Sequence, residues 1–324
     1  MSEPQQWAFL DSLQPKADET EFDLDRALDA VVLVRAEVPE DGYTASTLGT
    51  ERGGYGAVIR EDGLVLTIGY LINEASQIWL TSNRGALVAG HRLAYDQATG
   101  FGLIQPLGKL EAPHLARGVS ANVKVGDAVY VIGHGGVGHA LKTKIIEKRE
   151  FAGSWEYVLD TALFTSPAHP QWGGAALLDQ EGKLIGIGSL LVQQELNGEA
   201  AHANMFVPID LLQPILDAML QTGRSQHPPH PWLGMSTQDA EGKLVVSRVA
   251  KGGPGDSAGV LAGDLVLSVG DLRVTGLAEF FRAVWRLGPV GVEVPLTVAR
   301  DGDVLRVKVK SADRSDFLKK PKLH

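Results

Sequence analysis

From Leu24 onward the apolar residues come in short runs cut by glycine turns, rather than in the three-and-four spacing of long helices. Residues 57–60 and 64–67 flank Glu61-Asp62-Gly63, and residues 176–178 and 184–191 flank Asp179-Gln180-Glu181-Gly182. Both patterns predict hairpins, and many short strands at such intervals predict a barrel or sandwich rather than a βαβ fold. The clearest helix is predicted over 210–223: Asp210 is the N-cap candidate, Pro214 lies in the early turns and Gly223 is the stop. Residues 225–231, Ser-Gln-His-Pro-Pro-His-Pro, read as a stiff linker. Beyond it, 232–312 forms a second unit with strands, one helix over Leu277–Arg286 and a hairpin turning at Asp301-Gly302. Residues 1–23 read as a flexible polar arm and 313–324 as a basic tail, leaving 24–224 as the first domain. Trp7 and Phe9 stand out in that arm as aromatics suited to docking on the body or on a second subunit.

Composition narrows the function classes. The 324 residues carry 30 Lys plus Arg against 39 Asp plus Glu, a formal charge of −9, which argues against a nucleic-acid partner or an anionic membrane. No run reaches the ~18 apolar residues of a membrane span, so no membrane insertion is expected. With no cysteine, disulfides, thiolate zinc sites and cysteine nucleophiles are excluded. The acidic N-terminus lacks the basic start and apolar core of a signal peptide. It predicts a cytoplasmic chain as written, or a periplasmic one if this is a trimmed mature form. His227 and His230, and His134 and His139, read as linker and loop histidines, and residues 133–138 as a glycine turn. No metal and no cofactor are expected.

Several segments carry a resemblance to the HtrA (Deg) serine proteases, from about residue 24 to 312. Gly63-Leu-Val-Leu-Thr-Ile-Gly-Tyr-Leu-Ile-Asn-Glu-Ala75 matches, without a gap, the family's G-x-I-V-T-N-x-H-V-V-x-x-A hairpin. Tyr70 falls on the catalytic histidine. Asp96-Gln-Ala-Thr-Gly-Phe-Gly-Leu-Ile104 matches D-x-x-T-D-L-A-L-L and puts Gly100 on the aspartate. His169-Pro-Gln-Trp-Gly-Gly-Ala-Ala-Leu-Leu178 matches N-P-G-N-S-G-G-P-L-L and puts Gly173 on the serine. The preceding segment, residues 165–168, is one residue shorter than the family pattern. Val125-Gly-Asp-Ala-Val-Tyr-Val-Ile-Gly133 and Phe206-Val-Pro-Ile-Asp210 resemble the family's scaffold. The resemblance implies a mainly β protein: a chymotrypsin-like double β-barrel followed by a PDZ domain.

On that resemblance all three triad positions are lost. Glycine cannot attack, a phenol of pKa near ~10 is a poor base, and Gly100 cannot orient a ring. Without a triad, oxyanion hole and binding leave only about 10³–10⁴ over water, against ~10⁶–10¹⁷ for enzymes. The backbone N–H groups of Gln171 to Gly173 remain as oxyanion-hole candidates. Ser166, His169 and Asp160 lie near enough in sequence to be considered as a replacement triad, but read as ordinary turn residues.

Trp232-Leu-Gly-Met235 resembles the PDZ carboxylate-binding loop, in which successive N–H groups cradle a terminal carboxylate. Lys251-Gly-Gly-Pro-Gly-Asp-Ser-Ala-Gly-Val-Leu-Ala-Gly-Asp264 matches the family's G-S-P-A-x-x-A-G-L-x-x-G-D. Leu277, Phe280, Phe281 and Val284 have the spacing to form the groove's other wall, some of them serving as core. The peptide-binding candidates are thus Trp232, Leu233, Gly234, Met235 and these four. The reading that follows is a catalytically inactive HtrA-like pseudoprotease, not an enzyme, scaffolding protein C-termini or extended segments through its PDZ domain. The alternatives are a divergent serine-type endopeptidase using other residues, and a holdase chaperone. The family resemblance implies a homo-oligomer, a trimer, with Trp7 and Phe9 at its interface.

Overall fold

A computed structural model describes residues 7–320 apart from 197 and 241, so residues 1–6 of the arm and 321–324 of the tail lie outside the described residues. The chain divides into two compact units. Among the described residues, the first comprises 7–149, 161–226 and 320, and the second 150–160 and 227–319.

The first unit is two closed six-stranded barrels. After a short helix α1 (Leu24–Asp29), the first barrel is built from β1 (Val31–Glu37), β2 (Glu51–Val58), β3 (Val65–Ile68), β4 (Gln77–Thr81), β5 (Leu87–Tyr95) and β6 (Phe101–Pro106), in the order β1-β2-β3-β6-β5-β4. A one-turn helix α2 (Ala45–Leu48) lies between β1 and β2. The hairpin read at Glu61–Gly63 pairs Ala57 with Leu66 and Val58 with Val65, with Gly63 at φ +83° in the turn. The second barrel takes β7 (Ala128–Ile132), β8 (Ala140–Gly153), β9 (Tyr157–Ser166), β10 (Ala176–Leu178), β11 (Leu184–Leu196) and β12 (Glu199–Pro208), in the order β10-β11-β12-β9-β8-β7. Val65–Ile68 is buried at every position, so β3 packs on both faces, unlike β4, whose burial alternates with exposed positions.

Two expectations need correction. The helix foreseen over 210–223 is a 3₁₀ turn at Ile209–Leu211 followed by α3 (Leu216–Thr222). Proline at 214 supplies no N–H, and the helix starts only beyond it. Asp210 caps nothing there; its carboxylate accepts from the Ser120 and Ala121 N–H groups at 2.9 and 2.8 Å. Gly223 does stop the helix, in the left-handed conformation, donating to Met219 O. The second correction concerns the arm. From residue 7 it lies on the second barrel: the Phe9 N–H donates to Gly138 O at 2.9 Å, and Trp7 packs edge-on to His139 with ring centroids 4.4 Å apart.

The second unit is a sheet in the order β13-β14-β15-β17-β18, with β16 on β15. Its strands are β13 (Met235–Ala240), β14 (Lys243–Val249), β15 (Leu265–Val269), β16 (Leu272–Arg273), β17 (Glu293–Arg300) and β18 (Asp303–Lys310). Helices α4 (Pro254–Ser257) and α5 (Leu277–Arg286) complete it. Along β17 the buried positions Val294, Leu296 and Val298 alternate with more exposed ones, the period of a half-buried strand. The turn to β18 sets Asp301 at φ +52° and Gly302 at φ +93°, both left-handed, as a two-residue hairpin turn requires. The distal end of the β8–β9 hairpin, Glu150–Asp160, belongs to this unit, and Ala152 and Val158 pack against its core. The stretch read as a linker is partly structural, since His230 stacks on Trp285 with centroids 4.0 Å apart. Among the described residues, no helix is long and apolar enough to cross a membrane.

Candidate functional site

In the first unit, the segment from His169 to Gly174 is stitched between the two barrels. Tyr55 N–H on β2 donates to Gly173 O at 2.8 Å, and Gly174 N–H donates to Gly188 O on β11 at 2.8 Å. Thr67 Oγ1 donates to Tyr55 O at 2.6 Å. Beside this seam opens a cleft of ≈ 730 Å³ walled by Trp7, Leu33, Tyr55, Leu71 and Trp172, with Arg35, His134 and His139 as its charged or titratable members besides tyrosines.

The structure brings the three aligned positions together in this region. Tyr70 Oη donates to Ser189 O at 3.0 Å, and burial pushes its phenol above the ordinary range. A Cβ built on Gly173 would stand 2.8 Å from that same oxygen, so the tyrosine ring takes the room a side chain at 173 would need. Gly69 N–H, next to Tyr70, donates to Gly100 O at 2.7 Å. The three positions bring no serine hydroxyl, imidazole or carboxylate. The cleft's imidazoles are His134 and His139, both held below the usual histidine range by burial and thus neutral at pH 7.

The groups considered as replacements do not converge on one another. His169 is fully buried beneath Trp7 and Phe9. Its Nδ1 accepts the Gln171 N–H at 3.0 Å, which fixes the proton on Nε2, 3.1 Å from His139 O. The Gln171 N–H is thereby used within the loop rather than presented to the cleft. Ser166 Oγ donates to His202 O, and Asp160 pairs with Arg282 at 2.6 Å. Among the described residues no cluster of His, Asp or Glu is arranged to hold a metal.

In the second unit, the segment 232–235 is tied down on both sides. Trp232 exchanges backbone hydrogen bonds with Ala312, Gly255 N–H donates to Leu233 O at 2.8 Å, and Ala250 N–H donates to Gly234 O at 2.7 Å. Gly234 sits at φ +68°, and a Cβ there would meet Pro254 Cδ at 2.8 Å, so only glycine fits. Of the side chains proposed for peptide contact, Trp232, Leu233, Met235, Phe280, Phe281 and Val284 are buried, and Leu277 alone keeps part of its surface. The apolar face of α5 is consumed by the sheet it packs on. What the loop exposes is therefore backbone; a separate pocket of ≈ 370 Å³, lined by Glu150, Ala152, Asp239 and residues 275–279, includes none of residues 232–235.

Comparison with known proteins matches both units. Residues 54–187 fit a trypsin-like peptidase domain and residues 231–311 a PDZ domain. A probable periplasmic serine endoprotease DegP-like of Halomonas elongata is 26% identical over 282 residues, covering 82% of this chain and 57% of the relative. Serine endoprotease DegS of Haemophilus influenzae is 24% identical over 262 residues, covering 79% of this chain and 76% of the relative. The chain thus spans little more than half the length of the first of these. Among solved structures, HtrA-type protease AlgW with tripeptide aligns with a TM-score of 0.52 at 18% identity, over 90% of this chain and 96% of that one. The serine endoprotease from Yersinia pestis aligns with a TM-score of 0.50 at 21% identity, over 89% and 95%.

These matches overturn the expectation of an inactive scaffold that is not an enzyme. The similar proteins are named serine endoproteases, and the domain matched is a peptidase domain. Three substituted positions describe the cleft without removing the chain from that company. The chain thus carries a match to a trypsin-like peptidase domain over residues 54–187 and to a PDZ domain over residues 231–311, and its fold is similar to that of solved HtrA-type proteases.

Proposed function

We propose that this protein engages polypeptides, its PDZ domain taking a free C-terminus or an extended segment along β13. The observation that carries the reading is the Trp232–Gly234 backbone, in which Trp232 is held by Ala312, Leu233 by Gly255 and left-handed Gly234 by Ala250, so that its amide groups can serve a carboxylate. The bound peptide named with the AlgW structure supports it. The full chain should bind a degenerate library of decapeptides with free C-terminal carboxylates at least about tenfold more tightly than the same library amidated, because amidation removes the charge the amides meet. Equal retention of the two libraries would overturn the reading.

Endopeptidase activity is the second reading, favoured by the match to a trypsin-like peptidase domain and by the names of the relatives. On this chain the cleft supplies neutral imidazoles at His134 and His139 and apolar walls, while the nucleophile has to come from a group other than Tyr70, Gly100 and Gly173. This reading expects purified protein to fragment unfolded casein, with the fragments persisting at constant specific activity through repeated purification. Intact casein after prolonged incubation would remove it and leave polypeptide binding in place.

A further inference from the structure

The tip of the β8–β9 hairpin is the least conventional part of the second unit. Gly153, Ser154, Trp155 and Glu156 form its turn, closed by the Glu156 N–H donating to Gly153 O at 3.0 Å. Glu156 sits at φ +67°, a left-handed conformation that suits glycine and strains a residue with a side chain. Its side chain is nevertheless buried, at 8% exposure. A strained turn and a buried carboxyl persist only where a partner holds them.

That partner is the carboxylate-binding loop. The Leu233 N–H donates to the Glu156 carboxyl, and the Arg314 guanidinium stands close enough to favour its charge. Arg314 also donates to Trp155 O at 2.9 Å, so one side chain grips the turn's backbone and faces its acid. The flanks are clamped as well: Arg282 on α5 pairs with both Glu150 and Asp160, one on each side of the hairpin. Trp155 and Tyr157 stack with centroids 5.2 Å apart over Gly153, where a Cβ would meet both rings within 3 Å.

We infer that Glu156 is a built-in ligand of the PDZ carboxylate site, docked where the terminal carboxylate of a bound polypeptide would sit, so that partners bind by displacing it. The inference rests on the reading of Leu233–Gly234 as the carboxylate loop. Burial pushes the acid up to about 8, against the opposing pull of Arg314, so at pH 7 it docks as a neutral carboxyl. A polypeptide's terminal carboxylate would arrive charged and meet both the Leu233 amide and the Arg314 guanidinium, the stronger pairing. Self-occupancy reduces the apparent affinity for such a partner by the fraction of molecules in which the loop is free.

The test compares the native 324-residue chain with Glu156→Gly and Glu156→Ala. Glycine is at home at φ +67°, so Glu156→Gly removes the carboxyl while keeping the turn. Both variants are expected to bind the free-carboxylate decapeptide library about 10- to 100-fold more tightly than the native chain. Hydrogen exchange at the Leu233 amide should speed up in the variants by a similar factor and slow again on adding peptide. If native and Glu156→Gly chains bind the library equally, the loop is a peptide site and the built-in ligand is disproved. If neither discriminates free from amidated peptides, the carboxylate-loop reading itself fails. Should Glu156→Ala misfold, Glu156→Gly with the Leu233 exchange rate decides alone.

Discussion

Replacing Gly174 with alanine is expected to destabilise the peptidase-like unit by more than about 4 kcal/mol, enough to abolish soluble protein or to lower its melting temperature by on the order of 10 °C. Two independent penalties coincide there. The residue is at φ +78°, where a Cβ strains the backbone by about 1–2 kcal/mol. A Cβ would also lie 1.9 Å from Tyr55 O and 2.6 Å from Thr67 Oγ1. Neither atom is free to move, since Tyr55 O already accepts the Thr67 hydroxyl and Tyr55 N–H is bonded to Gly173 O. Making room would break the hydrogen bonds that stitch the two barrels together. Gly85→Ala provides the control: φ is +85° but nothing lies within 4 Å of its Cβ, so it should cost only the strain. Urea titrations of the two variants separate the contributions, and losses within about 1 kcal/mol of each other would refute the steric argument.

The elements that were legible in the sequence are those whose signal is local. Turns such as Glu61–Gly63 and Asp301-Gly302 need particular backbone angles, and the residues supplying them stand next to the strands they join. The helix Leu277–Arg286 likewise shows its apolar face within ten residues. Over 210–223 the apolar spacing continued through Pro214, and spacing alone does not register a missing N–H. The features that were missed depend on contacts across the chain. Nothing in Gly153-Ser-Trp-Glu156 announces that a turn 77 positions before Leu233 will meet it, and the left-handed glutamate lacks the glycine or asparagine that usually marks such a turn.

The peptide-groove assignment illustrates the same limit. Apolar spacing on α5 says that one face is buried, and does not say whether sheet or ligand covers it. Phe280, Phe281 and Val284 are buried, so the proposed recognition falls to backbone amides, which carry no sequence signal beyond the glycine at 234. The three triad positions show the same limit. Tyr70, Gly100 and Gly173 lack the triad's side chains, yet the matches to endoproteases cover both domains, so three side chains do not by themselves decide the function. His169 is the clearest missed residue. It read as part of a turn, yet it organises the seam beside the cleft, clamped through its backbone by Asn204 at 2.6 and 3.0 Å.

That histidine sets the second large expectation, a loss of stability in mild acid. Burial holds the imidazole down to about 4, against the ordinary histidine value of 6.5, and the Gln171 N–H aimed at Nδ1 leaves no acceptor for a second ring proton. Between these two values the unfolded chain binds a proton that the folded chain refuses, so stability rises with pH across that interval. The contribution is complete above about 6.5 and is progressively lost as pH falls toward 4. For a side chain with no solvent exposure the integrated loss is about 3 kcal/mol at most. Urea midpoints of the native chain should therefore fall steeply from pH 7 to pH 4.5. A His169→Gln variant, which keeps an amide able to bond the His139 carbonyl, should start less stable at pH 7 and lose less on acidification. The decisive quantity is the difference in slope between the two chains. Parallel pH profiles would show that His169 does not couple the seam to acid, whatever the fate of other groups.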